Sequence, residues 1–103
     1  MKAIILEGYQ AVVVNVPKAD TGDELKALQN IIGGYIETFR VAEDAFLLVD
    51  EDSYVKCLPP NPAATLVAGK VILGAGLLVG LAVNDDGEMY FTDFPERYYK
   101  KNA

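Results

Sequence analysis

A stretch that reads as a helix over 21–32, halts at Gly33-Gly34 and releases a strand beginning Tyr35-Ile36-Glu37 constrains the fold more than any other part of this chain. Leu25, Leu28, Ile31 and Ile32 recur at helical spacing and make one apolar stripe, so the helix lies on a sheet. Thr21-Gly22-Asp23-Glu24 has the form of a capping box, in which the Thr21 hydroxyl and the Glu24 carboxylate satisfy each other's orphan backbone amides. Gly33 is the natural left-handed stop, and Gly34 frees the chain to turn back into the sheet.

Most of the rest reads as strands. Residues 3–6 and 12–16 are apolar runs rich in β-branched side chains, parted by Gly8-Tyr9-Gln10, a hairpin whose second strand is stopped by Pro17. The strand over 35–41 does not alternate cleanly: Glu37 shares a side with Tyr35, Phe39 and Val41, and Arg40 shares one with Ile36. Residues 45–49 are apolar on both sides and form an interior strand, with Asp50-Glu51-Asp52-Ser53 as a polar turn into a short strand over 54–58. Pro59-Pro60-Asn61-Pro62 is a rigid connection into a helical turn over 63–67. The segment 71–83 is a long strand with a bend at Gly74-Ala75-Gly76, and Asn84-Asp85-Asp86-Gly87 turns it into a strand over 89–92. Residues 95–101 suit a terminal helix, with Asp93 near its start and Lys100 and Lys101 at its end. The fold class is therefore α+β: a mainly antiparallel sheet of about six strands, one main amphipathic helix packed on it and a short C-terminal helix. At 103 residues and 51% hydrophobic content, this is a single compact domain over 1–103.

Composition excludes several chemistries. Histidine is absent, which removes the commonest general base and the commonest nitrogen ligand for zinc. Cys57 is the only thiol, so no internal disulfide or multi-thiolate metal site is available; flanked by Val55 and Leu58, it reads as a half-buried strand thiol. No enzyme activity, cofactor or metal is expected. The apolar part of the opening residues 1–7 is too short for a signal peptide, and 71–83 falls short of the ~20 residues that cross a bilayer. A net charge of -6 opposes binding to nucleic acid or to an anionic membrane.

Few motifs carry chemistry. The glycines at 74, 76 and 80 miss dinucleotide-binding spacing by one residue and are followed by no helix, so they mark a bent core strand. Ala68-Gly69-Lys70 lacks the rest of a phosphate-binding loop, and Asn84 to Glu88 is a hairpin turn rather than a calcium loop. Glu43, Asp44, Asp50, Glu51 and Asp52 read as solvated loop charge. Tyrosine is the main stacking residue in a chain with no tryptophan or histidine. Tyr35 and Arg40 in the mixed strand are thus candidates to stack on a base and clamp phosphate, with Lys56 and Asn61 on either side of the Pro59-Pro60 corner as further donors. The structural alternative packs Tyr35 beneath the helix and leaves Arg40 on the surface. Their opposite parity along a strand means that sharing one pocket requires a bulge between them or two subunits.

The order of the helix Leu25-Lys26-Ala27-Leu28-Gln29, the junction Gly33-Gly34-Tyr35-Ile36-Glu37, the turn Leu58-Pro59-Pro60-Asn61-Pro62-Ala63, then Ile72-Leu73-Gly74 and Asp86-Gly87-Glu88 resembles domain of unknown function 3846, a family of bacteriophages and mobile elements. The resemblance spans nearly the whole chain; Pro62 departs from it, standing where a basic residue often follows the asparagine. It brings no established catalytic residues. It implies a small phage or mobile-element protein in bacterial cytoplasm, where such proteins often block host defence. The function expected on that basis is a homo-oligomer that sequesters a nucleotide-type host immune signal through Tyr35, Arg40, Lys56 and Asn61. The alternative is an acidic inhibitor of a host defence protein that uses residues 43–52, in part as a DNA mimic. Self-association is expected because the strands are apolar on both sides while one substantial helix is available to cover them.

Overall fold

A computed structural model describes residues 1–16 and 23–99, so the capping box at Thr21, the strand stop at Pro17 and the basic end at Lys100 and Lys101 lie outside the described residues. The strands are β1 (Lys2–Glu7), β2 (Gln10–Asn15), β3 (Ile36–Ala42), β4 (Ala45–Asp50), β5 (Gly76–Val83) and β6 (Met89–Thr92). The helices are α1 (Asp23–Ile32) and α2 (Pro62–Ala68), with a 3-10 turn at Glu96–Tyr98. All pairings are antiparallel, in the order β2-β1-β5-β4-β3, and the α+β class holds. β6 also pairs with β5, at Gly80 to Val83, where β1 pairs with Gly76 to Leu78. The Phe94 amide donates to the Lys2 carbonyl, so β6 and β1 run end to end along one edge of β5.

Alternation along the strands sorts the core into two layers. Leu48, Leu77 and Val79 point to the face where α1 lies and are buried with its Leu28 and Ile32. Leu47, Val49, Leu78, Ile4 and Leu6 point the other way and are buried with Ala64 of α2 and with Phe94. Full burial of Leu28, Leu47, Leu48 and Leu77 contributes roughly 1.5–3 kcal/mol each. Each face therefore carries a helix, where the sequence offered one main helix for one face. The helical turn at 63–67 grows into a seven-residue helix because Asn61 caps it and Gly69, at φ +73, ends it. Its alanines let it approach closely: a Cβ on Gly76 would stand 3.0 Å from Leu47 Cδ1 and 3.4 Å from Ala64 Cβ.

Local differences from the sequence reading have physical causes. The β1–β2 hairpin closes on Gly8 and Tyr9, with Gly8 at φ +58 in the first central position that a tight hairpin turn reserves for glycine. The bend at Gly74 is present, at φ +78, and regular pairing starts only at Gly76. Residues 54–58 are not a strand: the Lys56 amide bonds to Asp52 O (2.9 Å) and the Leu58 amide to Ser53 O (3.1 Å), a coiled turn that the Asp50-Glu51-Asp52-Ser53 run initiates. Cys57 consequently sits exposed on that turn at φ +55 rather than half-buried in a sheet. The interior strand expected over 45–49 is present as β4, so the acidic residues of 43–52 fall at its two ends rather than in one loop. The terminal helix is reduced, among the described residues, to Glu96–Tyr98, because Phe94 and Tyr99 turn inward onto the α2 face.

Candidate functional site

The helix stop builds one side of a polar hollow. Gln29 O accepts the Gly33 amide (2.7 Å) and the Gly34 amide (3.1 Å), and Gly33 takes φ +95, which closes α1 and sends the chain out to Tyr35. The other side comes from the end of β4. Asp50 Oδ1 accepts the Asp52 amide (2.8 Å), and the coiled turn that follows brings Lys56 back over the helix end. Lys56 Nζ donates to Asp50 Oδ2 (2.6 Å) and to Gly33 O (3.1 Å). A Cβ on Gly34 would lie 2.7 Å from Lys56 Nζ and 3.3 Å from Asp50 Oδ2, so the two glycines have separate duties: Gly33 supplies the left-handed turn and Gly34 the room for the ion pair.

Asp50 is only 2% exposed, and burial pushes its carboxyl upward. The Lys56 hydrogen bond, the Asp52 amide and the Lys56 charge outweigh burial and hold it below the usual carboxylate range. Because the folded value is depressed, the stability it confers is complete above the unfolded value of ~3.9 and disappears as pH falls through the folded value. Lys56→Met is expected to cost roughly 2–4 kcal/mol at neutral pH, less than a fully buried pair because the lysine is half in solvent. Urea titrations at several pH values should show the gap between variant and wild type closing in acid, since a protonated Asp50 no longer needs the ammonium.

Between these segments lies a hollow of about 530 Å³ lined by Gln29, Asn30, Gly33, Gly34, Tyr35, Asp52 and Lys56. That volume is in the range of small-ligand sites. Tyr35 is 71% exposed, so its ring is not packed beneath the helix. Lys56, with three N–H donors and two of them used, keeps one for the hollow. Asp52 and the carbonyl end of α1, whose last turn has no basic residue, set the field against a polyanion.

Tyr35 and Lys56 come together here; Arg40 and Asn61 do not. Arg40 is the fifth residue of β3, ~17 Å along the strand from Tyr35, and its guanidinium donates to Ala42 O (3.3 Å) and Glu43 O. The irregularity in β3 falls between Arg40 and Ala42, beyond both residues, so it does not turn Arg40 toward Tyr35. Asn61 is 1% exposed and fully committed: its amide donates to Leu6 O (2.8 Å) and Gly74 O (2.7 Å), and its Oδ1 accepts the Ala64 amide (3.1 Å). Gln29 and Asn30 were missed by the sequence reading; their signal was two amide side chains in the last turn before the glycine pair.

The acidic residues divide. Asp44 and Asp50 lie at opposite ends of β4, ~20 Å apart at strand rise. Asp44 is tied to Arg97 and to the Tyr98 hydroxyl (2.9 Å), and the Tyr98 bond foremost, with Arg97, holds its carboxyl below the usual range against the opposing effect of burial. An apolar groove of about 350 Å³ opens beside this cluster, between α2 and the chain end, lined by Ile4, Leu6, Val41, Leu78, Phe94 and Tyr99 among others. Among the described residues no three His, Cys, Asp or Glu side chains group as metal ligands, and no helix is long and apolar enough to cross a membrane.

No curated protein and no solved structure matches the chain. The model of one family, described as a domain of unknown function, matches residues 1–102, which is nearly the whole length and includes both sides of the hollow. The chain belongs to that family, domain of unknown function 3846.

Proposed function

We propose that the protein is a non-enzymatic binding protein that sequesters a nucleotide-type host signal, holding the base in the hollow between α1 and the turn after β4. The observation that carries this reading is the juxtaposition of an exposed Tyr35 ring with the Gln29 and Asn30 amides and the Lys56 ammonium around a space of nucleoside size. An aromatic face offers stacking, side-chain amides can donate to and accept from the edge of a base, and the free Lys56 N–H adds one charged donor. A field set against a polyanion by Asp52 and the end of α1 suits the base better than the phosphates. Arg40 is left out of this pocket within one chain, and Asn61 acts through the fold alone. The bacterial cytoplasm and the phage setting implied by the family are part of the same reading. So is association between copies, although α1 on one sheet face and α2 on the other leave less apolar surface for it than a bare face would.

Calorimetry against cyclic nucleotides and ADP-ribose derivatives tests it. Saturable binding is expected, weakened roughly 5- to 150-fold in Tyr35→Ala, the loss that goes with ~1–3 kcal/mol of base stacking. Arg40→Ala is expected to bind as wild type does. Tyr35→Ala should keep its stability, because the ring is mostly in solvent. Silence across the panel would remove this reading. The rival, an acidic inhibitor of a host defence protein, has less support from the geometry, since its carboxylates are split between two ends of β4 and two of them are already in ion pairs.

A further inference from the structure

The two long edges of the sheet are finished differently. β3, at one edge, carries Glu37 and Arg40 and an irregularity near its end, the usual devices that stop a strand from recruiting another. β2, at the other, is Gln10-Ala11-Val12-Val13-Val14-Asn15: no charge, no proline and an unbroken register against β1. Val12 and Val13 are half-exposed on opposite sides of it. Such an edge is a template for a further strand.

Its free backbone groups can be named. Met1 and Val16 exchange both of their backbone hydrogen bonds, which fixes the alternation along the hairpin. Val14, Val12 and Gln10 therefore bond to β1, while the N–H and C=O groups of Ala11, Val13 and Asn15 point outward. No partner for them lies among the described residues. This set is symmetric about Val13.

We infer that β2 pairs with β2 of a second copy, antiparallel about a two-fold axis through Val13, to join two sheets into one. In that register Val13 faces the partner's Val13 and Ala11 faces the partner's Asn15, so all three residues on each side exchange both bonds. Val12 lies beside the partner's Val14 on the α1 side, and the two Val13 side chains meet on the α2 side. The charge pattern favours a second copy as the occupant. In a chain of net charge -6, this edge is a run without formal charge, so two copies meet here with no like charges facing each other across the seam. A contact of one strand edge is smaller than a standard interface of ~800 Å² per partner, which fits a dimer that depends on concentration rather than a permanent one. The inference deepens the association proposed above and makes no use of the hollow.

Light scattering across a concentration series tests it. Wild type is expected to move from monomer to dimer mass, Val13→Lys and Val13→Glu to stay monomeric because like charges then face each other, and their equimolar mixture to recover the dimer mass because position 13 meets itself. Amide exchange at Ala11, Val13 and Asn15 is expected to slow as wild-type concentration rises, and this decides the matter if either variant fails to fold. A monomer mass at hundreds of micromolar, exchange at those amides that ignores concentration, or a dimer that survives both substitutions overturns it. A mixture that stays monomeric overturns the two-fold register. Ligand heats measured on the monomeric variants keep a failure of the hollow separate from a failure of the edge.

Discussion

Asn61→Ala is expected to lower the free energy of unfolding by roughly 3–5 kcal/mol, as the sum of a lost helix cap and two lost buried hydrogen bonds. The single side chain caps α2 at the Ala64 amide, donates to Leu6 O at the end of β1 and donates to Gly74 O at the bend before β5. It thus ties together three segments that backbone bonds from the Ala63 amide to Gly8 O, the Asn61 amide to Ile72 O and the Gly74 amide to Pro59 O also hold at that point. Alanine leaves two carbonyls short of a donor in a place water reaches poorly, since Asn61 is 1% exposed. Urea titration gives the loss directly. Ligand affinity of the fraction that remains folded is expected to be unchanged, which separates this structural role from the contact role that its place beside the proline corner suggests.

Gly80→Ala is expected to cost at least ~3 kcal/mol, at the upper end for overpacking, because the obstacle is backbone and cannot swing aside. A Cβ there would overlap the Asp93 carbonyl oxygen and stand 2.9 Å from its carbon. Relief requires the chain after β6 to leave β1, breaking the bonds from the Lys2 amide to Asp93 Oδ1 (2.8 Å) and from the Phe94 amide to Lys2 O (2.8 Å). Phe94, 6% exposed and stacked on Tyr99, would leave the α2-side core with it. Thermal unfolding should report the loss, and amide exchange at Phe94 should quicken before the rest of the sheet does.

What the sequence made legible were features written in local spacing. The stripe of Leu28, Ile31 and Ile32, the stop at Gly33 and the hairpin signals at Gly8 and at Asn84 to Gly87 all appear in the structure near their expected places, while Leu25, expected in the same stripe, is 54% exposed. The errors lie where partners distant in sequence decide. Residues 54–58 have strand-like composition but no neighbouring strand to pair with, so the turn begun at Asp50 continues through them. Asn61 looked like a surface donor because nothing nearby in sequence betrays Leu6 O or Gly74 O. The pairing of Tyr35 with Lys56 was half visible, since both were selected on chemistry; what put them side by side is the Asp50–Lys56 ion pair reaching Gly33, a contact across 23 residues that no periodicity encodes.

The strand order has a consequence for how the molecule is made. β1–β2 and β3–β4 are hairpins with local contacts, yet they share no ladder; each is bonded to β5, which comes after both. During synthesis the two hairpins emerge first and can form, but neither can complete its core until Gly76 to Val83 has left the ribosome and slipped between them. The interval is one of exposed strand edges, and the closing step joins residues far apart in the chain, the slow kind of contact in folding. Assembly is therefore gated by a late, central, glycine-bearing strand, and the bend at Gly74 is what lets that strand turn into the gap.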